Sequence, residues 1–181
     1  MTERELTEGC QRGDNEARRA LYETFAGPML SLCRRYTGGR EEAEDLLHDG
    51  FLKAFAAIGR FEYRGEGSLA AWLRRLFTNT ALNWLSALQT RTETDVEELP
   101  DVADEAGDEP PDVPPEVVMA LIEELPTGYR VVLNLYLIEG WSHREIAARL
   151  GIGESSSASQ YLRARAALKK KIIHYIDAHD V

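Results

Sequence analysis

Apolar residues recur at helical spacing along the first half of the chain. The pattern predicts three helices there, over roughly residues 14–36, 40–57 and 68–88. Each helix would bury one apolar stripe against its neighbours, so the first half of the chain is expected to form a small all-α bundle.

The middle predicted helix, EEAEDLLHDGFLKAF, separates apolar from polar positions. Its expected inward residues are Leu46, Leu47, Phe51, Leu52 and Phe55, and its expected outward residues are Asp45, His48, Asp49 and Lys53. Asp45 and His48 have the spacing of a metal-ligand pair. Carboxylate metal sites in helical bundles take such a pair from each of two helices, however, and the sequence has no second copy. We therefore interpret the outward surface as solvated or partner-facing.

The third predicted helix follows a glycine-rich loop, FEYRGEGS, which carries Phe61, Tyr63 and Arg64. Aromatic rings on a loop are suited to stacking on unpaired bases, although burial in the bundle core is the commoner fate of such rings. The helix itself, LAAWLRRLFTNTALNWLSAL, is expected to pack through Trp72, Leu73, Leu76, Leu82, Trp84 and Leu85. Its polar residues are left to contact nucleic acid: Arg74, Arg75, Asn79 and Asn83.

Helical spacing returns in the second half of the chain. The run EVVMALIEEL places Val118, Leu121, Ile122 and Leu125 on one face, and Pro126 ends this helix. The next run, TGYRVVLNLYLIEG, does the same with Val131, Val132, Leu135 and Ile138 before Gly140.

Two further helices are predicted around the turn Gly151-Ile152-Gly153. Ser142 and Glu145 form a capping box that starts the first helix, and Ile146, Ala147 and Leu150 form its buried stripe. The second helix starts near Glu154 with a run of serines, which suit a helix start better than a helix interior.

This arrangement is typical of a helix-turn-helix, in which the first turns of the second helix face the DNA bases. The residues expected to face base edges are Ser155, Ser156, Ala158, Ser159 and Gln160, and those expected to reach phosphates are Arg163 and Arg165. A helical hairpin that merely packs against its neighbours is the alternative.

The formal net charge of -10 is concentrated in one segment. Residues 1–91 hold 13 acidic and 13 basic side chains, residues 92–116 hold 11 acidic and none basic, and residues 117–181 hold 7 and 8. The middle segment also contains five of the seven prolines. This composition predicts a disordered acidic linker between two nearly neutral modules. An acidic loop folded onto a single domain is the alternative.

Composition excludes several classes of protein. With 44% hydrophobic and 29% charged residues the chain is expected to be globular and soluble. No apolar run approaches the roughly 20 residues of a membrane helix, and the first residues are charged where a signal peptide is apolar. We therefore expect a cytoplasmic protein without membrane insertion. Cys10 and Cys33 lack metal-ligand spacing and are expected to be inert thiols.

Taken together, the motifs resemble the extracytoplasmic-function sigma factors of bacterial RNA polymerase, members of the sigma-70 family. DLLHDGFLKAF is similar to the core-binding helix of that family, and GSLAAWLRRLFTNTALNWL to its segment that melts and reads the minus-ten element. The segment from Leu125 to Leu168 is similar to the fourth region, which reads the minus-thirty-five element. The resemblance covers nearly the whole chain outside the linker, and implies sigma region 2 at 1–91, the linker at 92–116 and sigma region 4 at 117–181.

The resemblance implies roles by position. The clamp helices of the largest catalytic subunit would bind Asp45, His48, Asp49, Phe51 and Lys53, and the flap of the second-largest subunit would bind region 4. The loop from Phe61 to Ser68 would take up a flipped base of the non-template strand. The acidic linker would occupy the channel of the polymerase intended for nascent RNA. An anti-sigma factor is a further implied partner, and no cofactor is implied.

The chain departs from the family pattern at three places. His48 replaces a glutamine, Ser86-Ala87 replaces a basic pair, and Ala158 stands where a lysine is usual. Each lost phosphate contact removes a counterion-release contribution, so the free protein is expected to bind DNA weakly.

Three other functions compete with a sigma factor. A plain helix-turn-helix regulator leaves the N-terminal module unexplained, and a protein-interaction adaptor would use both modules only for packing. A helical-bundle enzyme would need a catalytic constellation, a phosphate-binding loop or paired metal ligands, and the sequence shows none of these.

Overall fold

A computed structural model describes residues 1–89 and 113–179 of the chain. The chain divides into two compact units, Met1–Glu93 and Thr94–Val181. All regular secondary structure in the two described ranges is helical, which confirms the predicted all-α class. No helix in these ranges has the length and apolarity needed to cross a membrane. Residues 92–112 of the predicted linker lie outside the described residues.

The first unit is a four-helix bundle. Its helices are α1 (Glu3–Gln11), α2 (Asn15–Thr37), α3 (Arg40–Ala57) and α4 (Ser68–Gln89), with a 3-10 turn at Ile58–Arg60. Helix α2 packs against the other three. The bounds of α2, α3 and α4 confirm the three predicted helices, because each predicted range differs from the observed one by at most a residue at either end.

The inward face of α3 differs from the prediction at one position. Leu46, Leu47 and Phe51 are buried as expected, but Leu52 is 71% exposed and the prediction for it was wrong. The inward stripe continues instead through Ala54 and Ile58, one helical turn apart. Leu52 therefore presents an apolar side chain on the outer surface of α3.

Gly50 allows α3 and α4 to approach closely. A Cβ built at Gly50 would collide with the ring of Phe77, which is fully buried on α4. Phe77 was not among the expected packing residues, and its ring lies edge-on to that of Phe51 with centroids 5.2 Å apart. The ring of Phe77 thus fills the space that a side chain at position 50 would otherwise occupy.

Helix α1 was not predicted from the hydrophobic pattern. Thr2 and Glu5 form a capping box at its start, and Leu6 and Cys10 are buried against the bundle. Gly9 permits the close approach to α2, because a Cβ at this position would lie 2.5 Å from that of Ala17. The capping box was the signal in the sequence that could have identified this helix.

The second unit contains α5 (Pro115–Glu123), α6 (Thr127–Leu133), α7 (His143–Leu150) and α8 (Glu154–His179), and a π-helical turn at Asn134–Ile138 extends α6. Its core includes Ile122, Leu125, Tyr129, Leu133 and Ala164. Helix α5 begins at Pro115, inside the predicted linker, because proline fits the first helical position, where its missing N–H has no intrahelical partner.

Arg130 holds the start of α6 against the end of α5. Its Nη1 donates hydrogen bonds of 2.9 Å to the carbonyl oxygens of Glu123 and Leu125, and the residue is buried. These carbonyls lie at a helix end, where backbone acceptors have no intrahelical donor. Burial lowers the pKa of the Arg130 guanidinium below its ordinary value.

Candidate nucleic-acid interface

The outer surface of α3 carries the side chains expected to bind a partner. Asp45, His48 and Asp49 are exposed and lie within little more than one helical turn, and we call these three residues the acidic face of α3. Lys53 Nζ lies 2.6 Å from Asp49 Oδ2 in an exposed i,i+4 ion pair. Exposed Leu52 lies on the same side of α3 as these charged residues. The outer surface of α3 therefore presents carboxylates together with one apolar side chain.

Phe51 does not lie on this surface. Its ring is only 3% exposed and contacts the rings of Tyr22 and Phe77, at centroid distances of 4.7 and 5.2 Å. The implied direct contact between Phe51 and a polymerase subunit is therefore wrong, because the ring points into the bundle. Phe51 instead packs in the bundle core, on the side of α3 opposite the acidic face.

The loop before α4 is closed by its own hydrogen bonds. Ser68 Oγ donates to Gly65 O at 2.6 Å and accepts from the backbone N–H of Arg64 at 3.2 Å. Gly65 and Gly67 have φ angles of 119° and 82°, a region that favours glycine over other residues. The hydroxyl of Ser68, expected to contact DNA, is thus engaged within the loop.

The two rings of the loop are half-buried rather than freely exposed. Phe61 packs on Trp72 of α4 with ring centroids 4.9 Å apart, and the guanidinium of Arg4 lies 5.3 Å from the centroid of the Tyr63 ring. Arg64 is exposed and forms an ion pair of 3.3 Å with Glu62. Phe61 and Trp72 also line an open groove of about 420 Å³, together with Lys53 and Arg60.

Three of the four polar residues expected to hold nucleic acid share one side of α4. Arg75, Asn79 and Asn83 are spaced four residues apart, and Trp72 lies on the same side. Arg74 is exposed but lies about 100° around the helix from Arg75. The structure therefore brings together Arg75, Asn79 and Asn83, and leaves Arg74 on another side.

The start of α7 matches the prediction. Ser142 Oγ accepts a hydrogen bond from Glu145 N at 3.2 Å, and the Glu145 carboxylate accepts one from Ser142 N at 2.8 Å. These two bonds complete the capping box, and hydrogen bonds from Ser142 lower the pKa of Glu145 below its ordinary value. Gly151 then ends α7 with a φ of 70°.

The first turns of α8 present serine hydroxyls to solvent. Ser155, Ser156 and Ser159 are exposed, while Ser157 is fully buried and lies 3.0 Å from His143 Nδ1. The His143 ring stacks on Tyr136, with centroids 4.2 Å apart and an angle of 7° between the planes. The contact between Ser157 and His143 fixes the start of α8 against α7, so that Ser155, Ser156 and Ser159 point outward.

Gln160 lies on the side of α8 that is near α6. The side chain is half-buried, and a Cβ at Gly128 would lie 3.7 Å from Gln160 Oε1. The amide therefore lies near the start of α6, and the expected contact of Gln160 with a base edge stays a prediction. Ala158 and Arg163 are half-buried, and Arg165 is exposed beside the ring of Tyr161.

Leu162 was not predicted to lie on the exposed side of α8. It is 44% exposed and follows Ser155 and Ser159 at helical spacing, so the three residues share one side of α8. A leucine in a helix is ordinarily assigned to a core, which hid this position. An exposed apolar side chain here could contact a thymine methyl group in a major groove.

Two family models and several known proteins match this sequence. The family model for sigma-70 region 2 matches residues 21–91, and that for sigma-70 region 4 matches residues 116–168. The RNA polymerase sigma-H factor of Pseudomonas aeruginosa is 31% identical over 182 residues, covering 94% of this chain and 93% of the relative. The chain belongs to the extracytoplasmic-function group of the sigma-70 family.

Two further similarities extend this result. The ECF RNA polymerase sigma-E factor of Escherichia coli (strain K12) is 30% identical over 184 residues, covering 95% of each chain. A sigma factor from Bartonella quintana, RpoE, solved in complex with the anti-sigma factor NepR, matches the fold with a TM-score of 0.50 and 19% identity. That match covers 86% of this chain and 96% of the other. The chain is thus an alternative sigma factor, which acts in the initiation of transcription.

The family models assign the described elements to sigma regions. Most of α2 and all of α3 and α4 fall within the region 2 match, whereas α1 precedes it. Helices α5 to α7 and the first part of α8 fall within the region 4 match. The acidic face therefore belongs to region 2 of this sigma factor. The exposed serines at the start of α8, Ser155, Ser156 and Ser159, belong to region 4.

Proposed function

We propose that this sigma factor binds core RNA polymerase through the acidic face of α3 and directs the enzyme to promoters through its two units. The observation that carries the proposal is the exposure of Asp45, His48 and Asp49 on a helix whose apolar side is anchored by Phe51. A helix fixed in this way presents its charges without reorganisation, which favours a specific partner. The clamp helices of the largest catalytic subunit are the proposed partner.

We further propose that the two units read DNA in different states. The loop from Phe61 to Ser68, with Arg75, Asn79 and Asn83, would hold the melted minus-ten strand. The start of α8 would read the minus-thirty-five element as duplex, through Ser155, Ser156, Ser159 and Leu162, with Arg163 and Arg165 near phosphates. The remaining part of region 4 would contact the flap of the second-largest subunit.

The proposed organisation follows the charge distribution. Region 2 would occupy residues 1–91, the acidic linker would end before Pro115, and region 4 would follow. We propose that the chain has no catalytic chemistry of its own, because polymerase supplies it, and that it acts in the cytoplasm. An anti-sigma factor is a proposed regulator, by analogy with the Bartonella complex.

Charge reversal on α3 tests the proposed polymerase contact. Asp45→Lys should weaken the affinity for core polymerase at least about tenfold, since it places a like charge against a cationic partner surface. Glu23→Lys makes the same charge change on the exposed side of α2, where it also breaks the exposed ion pair with Arg19, and is the control. The measurements are the dissociation constant for core and promoter-dependent run-off transcription.

The results distinguish this proposal from a plain helix-turn-helix regulator. A sigma factor requires core polymerase for transcription, and Asp45→Lys should reduce both core binding and transcript yield. Equal core binding by the Asp45 and Glu23 variants would show that the contact lies elsewhere. Promoter binding by the chain alone, with no stimulation of core, would favour the regulator.

A further inference from the structure

Helix α1 precedes the segment that matches sigma region 2, yet three of its side chains converge on one place. Glu3, Arg4 and Gln11 all contact the loop from Phe61 to Ser68 or the backbone directly beside it. The contacts come from both ends of α1, which lies along the base of the loop.

Glu3 supplies the cap that α4 lacks. The residue before α4 is Gly67, whose carbonyl accepts from Ala71 N at 3.0 Å but which has no side chain to bind the free N–H groups of the first turn. The Glu3 carboxylate accepts from Leu69 N at 3.2 Å and from Ala70 N at 3.4 Å. A carboxylate is also the charge that a helix N-terminus favours.

Gln11 fixes the entrance to the loop. Its Nε2 donates to Ile58 O at 3.1 Å and to Phe61 O at 2.8 Å. Ile58 is the first residue of the 3-10 turn that leads into the loop, and Phe61 directly follows its last residue. One amide group therefore holds the backbone at both ends of that turn.

Arg4 covers the ring of Tyr63 in the middle of the loop, with its guanidinium 5.3 Å from the ring centroid. The position of α1 is itself fixed, because Leu6 and Cys10 are buried and Gly9 lies against Ala17 of α2. The entrance, middle and exit of the loop are thus all held by one helix that packs rigidly on the bundle.

We propose that α1 is a positioning element for the base-binding loop, with Glu3 and Gln11 as its positioning residues. The inference depends on the proposed function, in which this loop takes up an unpaired base. Holding the loop before DNA arrives reduces the ordering cost of capturing that base. Loss of these contacts should slow strand opening without weakening the attachment to polymerase, whose proposed site is on α3.

The first experiment measures the loop without DNA. Amide hydrogen exchange is recorded on the full chain for Glu3→Ala, Gln11→Glu and the control Glu8→Ala, which changes an exposed carboxylate of the same helix. Glu3→Ala should speed exchange at Leu69 and Ala70 about tenfold, because those amides lose their acceptor. Gln11→Glu replaces a donor with an acceptor facing two carbonyls, and should speed exchange at Arg64 and Ser68.

Exchange at Leu6, whose N–H donates to Thr2 O within α1, shows whether the helix itself remains folded. If Glu3→Ala loosens α1, Gln11→Glu at the other end still tests the loop. Unchanged exchange at the loop and at the start of α4 in both variants would overturn the proposal, whatever the function of the loop.

The second experiment measures the consequence at a promoter. With holoenzyme, the rate of strand opening is followed by fluorescence of 2-aminopurine in the minus-ten element, alongside the dissociation constant for core. We expect opening to slow about tenfold for Glu3→Ala and Gln11→Glu, with core affinity within about twofold of the unmodified protein. A parallel loss of core affinity would indicate general destabilisation and contradict positioning. If amide exchange in the loop is faster but promoter strand opening is normal, the contacts between α1 and the loop are supported. The proposed role of the loop in base capture is then refuted.

Discussion

At the scale of single residues, the acidic face of α3 depends on what lies behind it. Phe51 points inward, and Gly50 beside it leaves room for the ring of Phe77 from α4. Asp49 and Leu52, the immediate neighbours of these two residues, are thereby directed outward. The outward direction of Asp49 and Leu52 thus follows from the burial of Gly50 and Phe51 on the opposite side of α3.

Gly50→Ala should destabilise the first unit. The added methyl group would collide with the Phe77 ring, and overpacking of this kind costs about 1–3 kcal/mol of unfolding free energy. Urea denaturation of the full chain, followed by amide exchange in α3 and α4, measures the effect. Gly27→Ala is the control, since a Cβ at that position meets nothing within 4 Å. Equal stability of the two variants would contradict the described packing of α3 on α4.

The capping box of α7 makes a prediction about pH. Hydrogen bonds from Ser142 lower the pKa of Glu145 from 4.5, so the contribution of the box to stability is complete above pH 4.5 and is lost as the pH falls through the lowered pKa. Ser142→Ala should raise the pKa of Glu145 towards its ordinary value. Glu5, whose pKa is lowered by the equivalent box with Thr2, is the internal control. Carboxyl chemical shifts measured by NMR would follow the titrations of Glu145 and Glu5. A Glu145 titration that is the same with and without Ser142→Ala would contradict the described cap.

At the scale of elements, α8 carries the proposed duplex-reading surface. Its first turns expose Ser155, Ser156 and Ser159, and the contact between Ser157 and His143 fixes their direction. Few cations lie at this tip, since Arg163 and Arg165 come two to three turns later. Affinity for duplex DNA should therefore be low and weakly dependent on salt until polymerase holds the unit at the promoter.

Ala158→Lys should raise the affinity of the free chain for promoter duplex. A lysine that reaches one phosphate steepens the slope of log K against log salt concentration by about 0.9. Fluorescence anisotropy with labelled duplex over a salt series measures this slope. Ala178→Lys adds the same charge near the far end of α8 and should leave the slope nearly unchanged. Equal slopes for the two variants would contradict the proposed placement of α8 in the groove.

Most helices could be predicted from the sequence because hydrophobic spacing and capping residues are local signals. The same reasoning failed where a neighbouring element decides the outcome. Spacing alone could not show that Phe51 is buried while Leu52 is exposed. The proximity of Gln160 to Gly128 depends on how α6 packs against α8. Helix α1 had a local signal in its capping box, but its contacts with the loop join residues more than 45 positions apart in the sequence.

For the molecule as a whole, the net negative charge lies, in the sequence, between the two proposed DNA-reading units rather than within them. Residues 92–116 carry 11 acidic side chains, while the segments on either side are nearly neutral. A net charge of -10 is thus compatible with promoter binding, because the repulsion of DNA is concentrated in the segment proposed to lie in an RNA channel. The charge would then exclude the linker from DNA and leave the two units free to bind it.

We propose that this sigma factor and core polymerase together open promoter DNA. Permanganate reactivity of thymines in a cognate promoter measures opening directly. We expect reactive thymines in the minus-ten region only when core polymerase and the chain are both present, and a loss of this reactivity with Asp45→Lys. Thymines that stay unreactive with holoenzyme bound at the promoter, or that react with the chain alone, would contradict this proposal.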